Sequence, residues 1–168
     1  MNSNADLYFE ASKEEEKVPG SSTFVSKKKV KGGSFESFNL SKELFQAIKK
    51  KGYNMPTPIQ RKAIPVILEG FNVIAMARTG SGKTGAFVIP IIEKLKAHSN
   101  IIGTRCIILS PTREIAMQTS LYLKAISQFT DLTYVLIVGG GDMENQFERL
   151  VLNPDIIIAT PGRLQHCI

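Results

Sequence analysis

The sequence is poor in the residues that build cross-linked or metal-centred proteins. Its 168 residues include two cysteines, Cys106 and Cys167, and two histidines, His98 and His166. Two distant cysteines give neither a disulfide framework nor a metal-ligand spacing, which favours a reducing compartment and no disulfide-linked partner. Cys106 lies inside the apolar run RCIIL and reads as an inert buried thiol; the histidines have no partner motif nearby and are assigned no role. No apolar run approaches the roughly 20 residues of a membrane span. The N-terminus, MNSNADLYFEASKEEEK, carries no apolar signal segment. A soluble, intracellular chain with no membrane partner is therefore expected. There is no acidic surplus either: the formal charge is +6 and the pI about 9.4, which permits a polyanionic partner such as nucleic acid without demanding one.

What is present is enough apolar residue, 43%, for one folded domain with a core. Residues 1–34 stand apart, rich in Ser, Lys, Glu and Gly, and read as a flexible polar and basic tail that cannot bury enough surface to offset its ordering entropy. Within it, Lys27-Lys28-Lys29-Val30-Lys31 has the composition of a nuclear address, of a nucleic-acid patch or of a solvated linker. From residue 35 helix and strand signals alternate. Residues 40–51 place Leu40, Leu44, Phe45 and Ile48 on one helical face, ended by Gly52. Thr57 caps a second helix that starts at Pro58 and runs to Glu69, with a kink expected at Pro65. Four apolar runs follow, Asn72–Ala77, Arg105–Ser110, Thr133–Val138 and Asp155–Ala159, separated by helices over 83–97, 113–129 and 143–152. Continuous Ile/Val/Leu without polar alternation is how strands of a parallel sheet read when helices cover both faces, so the expected fold class is α/β, doubly wound.

One stretch carries most of the chemistry. Ala77-Arg78-Thr79-Gly80-Ser81-Gly82-Lys83-Thr84 sits between a strand and a helix and ends in the Gly-Lys-Thr of a phosphate loop. Gly80 and Gly82 let the backbone curl so that its N–H groups face inward. The helix start adds its positive end. Lys83 offers a charge to the β- and γ-phosphates, and the Thr84 hydroxyl a ligand to Mg²⁺. Ala77 stands where the general pattern has glycine. A second stretch, Gly52-Tyr-Asn-Met-Pro-Thr-Pro-Ile-Gln60, bears on the base. A Gln amide pairs an acceptor with a donor, matching adenine N6 and N7 and only half-matching guanine. Tyr53 offers a flat face, and the Pro56-Thr57-Pro58 turn would hold both. On these residues alone, a helix cap followed by a surface Gln is the stronger reading.

Taken together the motifs resemble those of the DEAD-box RNA helicases. GYNMPTPIQ is similar to the family's Q motif, Phe35 to its upstream aromatic, ARTGSGKT to motif I with the family's usual Ala at its head, Pro111-Thr112-Arg113-Glu114 to motif Ia, Gly139-Gly140 to the GG motif, and Thr160-Pro161-Gly162-Arg163 to motif Ib. They occur in order from about residue 35 to the end. The resemblance implies a P-loop, RecA-like parallel sheet flanked by helices; ATP and Mg²⁺ as cofactors, with Phe35, Tyr53, Thr57, Gln60 and 78–84 binding the nucleotide and Lys83 and Thr84 catalytic; and RNA at 111–114, 139–140 and 160–163. The last three also have a reading of their own. Each follows a strand, at the carboxyl end where open α/β sheets bind ligands, and a backbone N–H, a hydroxyl and an Arg at a helix start are good phosphate ligands. An ordinary capped strand-to-helix turn explains each motif equally well alone. The preference for RNA over DNA comes from the resemblance. The wording AMARTGSGKT and GGGDMENQF is most similar to a nucleolar subgroup acting in large ribosomal subunit maturation, which implies pre-ribosomal particles as partners and the nucleus or nucleolus as location.

The family's Asp-Glu-Ala-Asp and Ser-Ala-Thr motifs do not occur in these residues. The expectation is the N-terminal part of a first RecA-like domain over 35–168, truncated before motif II, its sheet incomplete at the C-terminal end, binding ATP weakly and not hydrolysing it. A non-catalytic short isoform or nucleotide-binding module that competes with the full-length helicase is the alternative. A different P-loop enzyme fits less well: the chain has no guanine-reading Asn-Lys-x-Asp.

Overall fold

The computed structural model describes residues 8–12 and 33–167. The chain divides into two compact units, with the boundary between residues 94 and 95. The basic run at Lys27–Lys31 lies outside the described residues.

The first unit holds strand β1 (Tyr8–Ser12), a 3-10 turn (Phe35–Phe38), helices α1 (Lys42–Lys50) and α2 (Pro58–Leu68), strand β2 (Asn72–Met76) and helix α3 (Lys83–Leu95), whose last residue falls in the second unit. Amphipathic spacing makes α1: Leu44, Ala47 and Ile48 are buried on one side. Its first turn is satisfied from another helix, since Ser41 donates its backbone N–H (2.8 Å) and its hydroxyl (2.9 Å) to Glu93. Helix α2 runs on through Pro65, whose carbonyl accepts from the Glu69 N–H at 3.0 Å. Ile59, Ala63 and Ala86 form a buried cluster on which Phe9, Ile67, Ala75 and Ala77 pack.

The second unit is built on strands β3 (Cys106–Leu109), β4 (Tyr134–Ile137) and β5 (Ile156–Ala159), with helices α4 (Arg113–Ile126), α5 (Met143–Val151) and α6 (Pro161–Gln165). The sheet is parallel, in the order β3-β5-β4, with Ile156 opposite both Cys106 and Tyr134. All four residues of the central strand, Ile-Ile-Ile-Ala, are buried, as an unbroken apolar run in a two-sided sheet requires. Leu150, Leu164 and Cys167 pack against Val135, Ile137, Ile157 and Ala159. Cys106 is half-buried in β3, and burial raises the pKa of its thiol.

Two expectations change. Three of the four apolar runs share a parallel sheet, but Asn72–Met76 pairs antiparallel with β1. And Tyr8–Ser12, inside the segment expected to be a tail, is a strand. Polar neighbours hide its alternation: Phe9 and Ala11 are half-buried, while Tyr8, Glu10 and Ser12 are exposed.

Candidate functional site

In the first unit, strand β2 delivers the chain into the loop 77–82, and α3 begins at Lys83. Gly80 and Gly82 have φ of 78° and 88°, in the left-handed region that favours glycine. The curl is closed by Ser81 N–H to the Arg78 carbonyl at 3.3 Å and by Ala86 N–H to the Gly82 carbonyl at 3.1 Å. The Lys83 ammonium donates to the loop's own carbonyls, those of Ala77 and of Arg78, the latter at 2.8 Å. Thr84 is half-buried at the second helical position; Arg78, Thr79 and Gly80 are exposed.

Gln60 ties α2 to this loop. Its amide oxygen accepts the Thr57 N–H at 3.0 Å and its amide nitrogen donates to the Gly82 carbonyl at 3.1 Å. It is buried, 5% exposed. A methyl group on Gly82 would stand 2.8 Å from the Gln60 amide nitrogen and 2.9 Å from the Thr57 hydroxyl. Gly82 is thus required twice, for its φ and for this close approach. The Thr57 side chain faces the Gln60 backbone N–H in a capping box, while the Ser81 hydroxyl is buried without a hydrogen-bond partner among the described residues, and such a group carries a desolvation cost unless something completes it. Tyr53 is half-buried just before this turn, while Phe35 is buried, with its ring edge-to-face on Phe38 at 5.9 Å.

The donor set fits a polyphosphate. It offers the unsatisfied Ser81 hydroxyl, a lysine that donates to loop carbonyls, glycine-permitted backbone curvature and a helix start. For a divalent cation the chain itself offers the Thr84 hydroxyl. No group of three or more His, Cys, Asp or Glu placed to hold a metal ion occurs among the described residues.

The second unit brings the three strand-end motifs to one end of its sheet. Thr112 caps α4, accepting the Ile115 N–H at 3.4 Å, and Pro111, Thr112, Arg113 and Glu114 are exposed. The carboxyl of Glu114 is held below its ordinary pKa by its own backbone N–H and by the Thr112 hydroxyl. The Arg113 guanidinium lies against Gly140, whose φ is 76°. From β5's end, Arg163 reaches the Gly141 carbonyl at 3.4 Å. Thr160 donates its N–H to the Ile137 carbonyl at 3.1 Å, fixing motif Ib beside the glycine turn; Pro161 and Gly162 are exposed. Gly139, Gly140, Arg113 and Arg163 therefore share one surface, and neither arginine is in an ion pair among the described residues.

With both regions described, comparison with known proteins decides the family. A family model described as DEAD/DEAH box helicase matches residues 57–168. The chain belongs to the DEAD/DEAH box helicase family. It is 61% identical over 142 residues to the putative DEAD-box ATP-dependent RNA helicase 29 of Arabidopsis thaliana, a match spanning 84% of this chain and 17% of that protein. It is 60% identical over 141 residues to the ATP-dependent RNA helicase DDX54 of Mus musculus, spanning 84% and 16%. Among solved structures, a DEAD box protein from Methanococcus jannaschii matches with a TM-score of 0.68 at 38% identity, over 78% of this chain and 35% of the other. The yeast splicing factor Prp28 matches at 0.68 and 31%, over 82% and 36%. The fold class is accordingly the α/β, RecA-like one of DEAD-box domains. The chain spans under a fifth of the length of these curated relatives.

Three residues escape sequence reasoning. Gln146 on α5 is buried and donates to the Val138 carbonyl at 3.1 Å, bracing the glycine turn, while its amide oxygen has no partner. A polar residue seven positions past Gly139 carries no signal by itself. At the opposite end of the sheet, Asp155 is 2% exposed. It accepts from Thr133 N–H (2.9 Å), Ser99 N–H (3.2 Å), Arg105 (2.6 Å) and His98 Nδ1 (2.8 Å). Burial pushes its pKa up, but these donors win and hold it well below the usual carboxylate range. His98, assigned no role from sequence, is thus part of a buried polar hub.

Proposed function

We propose that the chain is the nucleotide-binding portion of an ATP-dependent RNA helicase: it holds ATP and Mg²⁺ at the 77–84 loop, and an RNA backbone at 111–114, 139–140 and 160–163. The observation that carries this reading is the buried Ser81 hydroxyl, unsatisfied among the described residues, beside a lysine whose partners there are loop carbonyls. ATP, when bound, supplies the phosphoryl-transfer energy, with Mg²⁺ neutralising its charge. The chain's own residues do the rest. Lys83, Ser81 and the loop N–H groups would hold the phosphates, and the Thr84 hydroxyl would be a ligand to the cation. Gln60 would read adenine, with Tyr53 beside it and Phe35 supporting through packing. Arg113 and Arg163 grip phosphates without reading sequence.

The names of the two curated relatives, both ATP-dependent RNA helicases, support the activity class. The resemblance in wording supports work on pre-ribosomal particles in the nucleolus. The 168 residues carry no Asp-Glu-Ala-Asp, so the chain by itself binds ATP and turns it over negligibly. The test is competition of ATP and GTP for a labelled ATP analogue, together with phosphate release in saturating RNA. ATP preference with no release above background is expected. A GTP preference refutes the role of Gln60, and RNA-stimulated release refutes the lack of turnover.

A further inference from the structure

Strand β1 pairs with every residue of β2, from Tyr8 opposite Met76 to Ser12 opposite Asn72. β2 is the strand that feeds the phosphate loop, so β1 satisfies backbone groups that an open edge would leave to solvent. The two strands match side by side. Phe9 stands opposite Ala75 and Ala11 opposite Val73, all four half-buried, so a large side chain meets a small one on the inner face. Phe9 packs on the cluster of Ile59, Ala63 and Ala86, together with Ala75 and Ala77. Three of these neighbours lead to the loop. Ile59 precedes Gln60, which bonds the Gly82 carbonyl; Ala86 N–H bonds the same carbonyl; and the Ala77 carbonyl receives Lys83.

We propose that Tyr8–Ser12 is a clasp acting within its own chain: it closes the edge of β2 and, through Phe9, sets the resting geometry of the phosphate loop, so that releasing it loosens the loop and weakens nucleotide binding. The coupling to nucleotide rests on the reading of the loop given above; the clasp does not.

Two measurements on the full 168-residue chain test it. In a Cys106→Ser/Cys167→Ser background, the pair Tyr8→Cys/Met76→Cys stands on the exposed side of the two strands, at directly opposed positions whose Cα separation suits a disulfide. Mild oxidation is expected to cross-link the monomer internally. No cross-link, or one that joins two copies, overturns the clasp within one chain. Separately, Phe9→Asp is expected to speed hydrogen exchange of amides 72–76 by of the order of tenfold, as loss of a half-buried phenyl group would, and to weaken binding of a labelled ATP analogue several-fold. Phe9→Leu restores both. Unchanged exchange refutes the clasp, and faster exchange with unchanged affinity refutes the coupling. If the wild-type chain binds no nucleotide, the reading of the loop fails, while cross-linking and exchange still decide the clasp.

Discussion

Gln60 has no free end in this structure: one side of its amide holds Thr57 and the other holds Gly82. On the proposed role of Gln60, reading a base would mean breaking a bond to the 77–84 loop, so base recognition and loop position would be linked through one side chain. The sequence names Gln60 but not this bridge, because the partner, Gly82, is 22 residues away and the link exists only once α2 and α3 pack together. Asp155 shows the same limit more sharply. An Asp before an apolar run looks like an ordinary strand boundary, yet it gathers donors from 98–105 and 133. Its pKa is lowered in the folded state, so its stabilisation is complete above the unfolded carboxylate's value of about 4 and drains away as pH falls from there through the lower native value. Asp155→Asn should cost about 3 kcal/mol at pH 7, as does breaking a buried ion pair. The gap between wild type and variant should narrow by pH 3. Denaturant unfolding at both pH values checks this; a gap that widens on acidification contradicts it.

Helices and central strands were largely legible, because periodicity depends on neighbours in the chain. The five long helices expected between 40 and 152 all form, each within a few residues of its expected bounds, and β5 shows the complete burial that Ile-Ile-Ile-Ala implies. What sequence could not give was partnership between elements. β1 carries little signal, being five alternating residues among polar neighbours, and the apolar run of β2 fits parallel and antiparallel pairing alike. At the strand ends, order along the chain named the motifs, but only the β3-β5-β4 arrangement brings Arg113 and Arg163 to one glycine turn. If both arginines hold phosphates, Arg113→Ala and Arg163→Ala should each weaken binding of single-stranded RNA equally across sequences. Each should also flatten the dependence of log affinity on log salt by about 0.7. Filter binding at several salt concentrations reads both effects. A loss confined to particular sequences would point to base contacts instead.

At the scale of the molecule, membership of the DEAD/DEAH box helicase family and two separately built regions lead to one account. One unit carries a phosphate loop braced by Gln60 and edged by β1; the other carries a cationic strand-end surface. The 168 residues contain a loop whose donors fit a triphosphate but not the acidic motif that the resemblance associates with breaking it. Holding is therefore the central claim. Its most direct measurement is calorimetric titration of the wild-type chain and of Lys83→Ala with ATP and Mg²⁺, alongside thermal unfolding of both. The account predicts measurable binding by the wild type. Loss of the charge-assisted contact should weaken it by about tenfold or more in the variant, with both proteins folded. Equal affinity of two folded proteins, or no binding by the wild type, would contradict it.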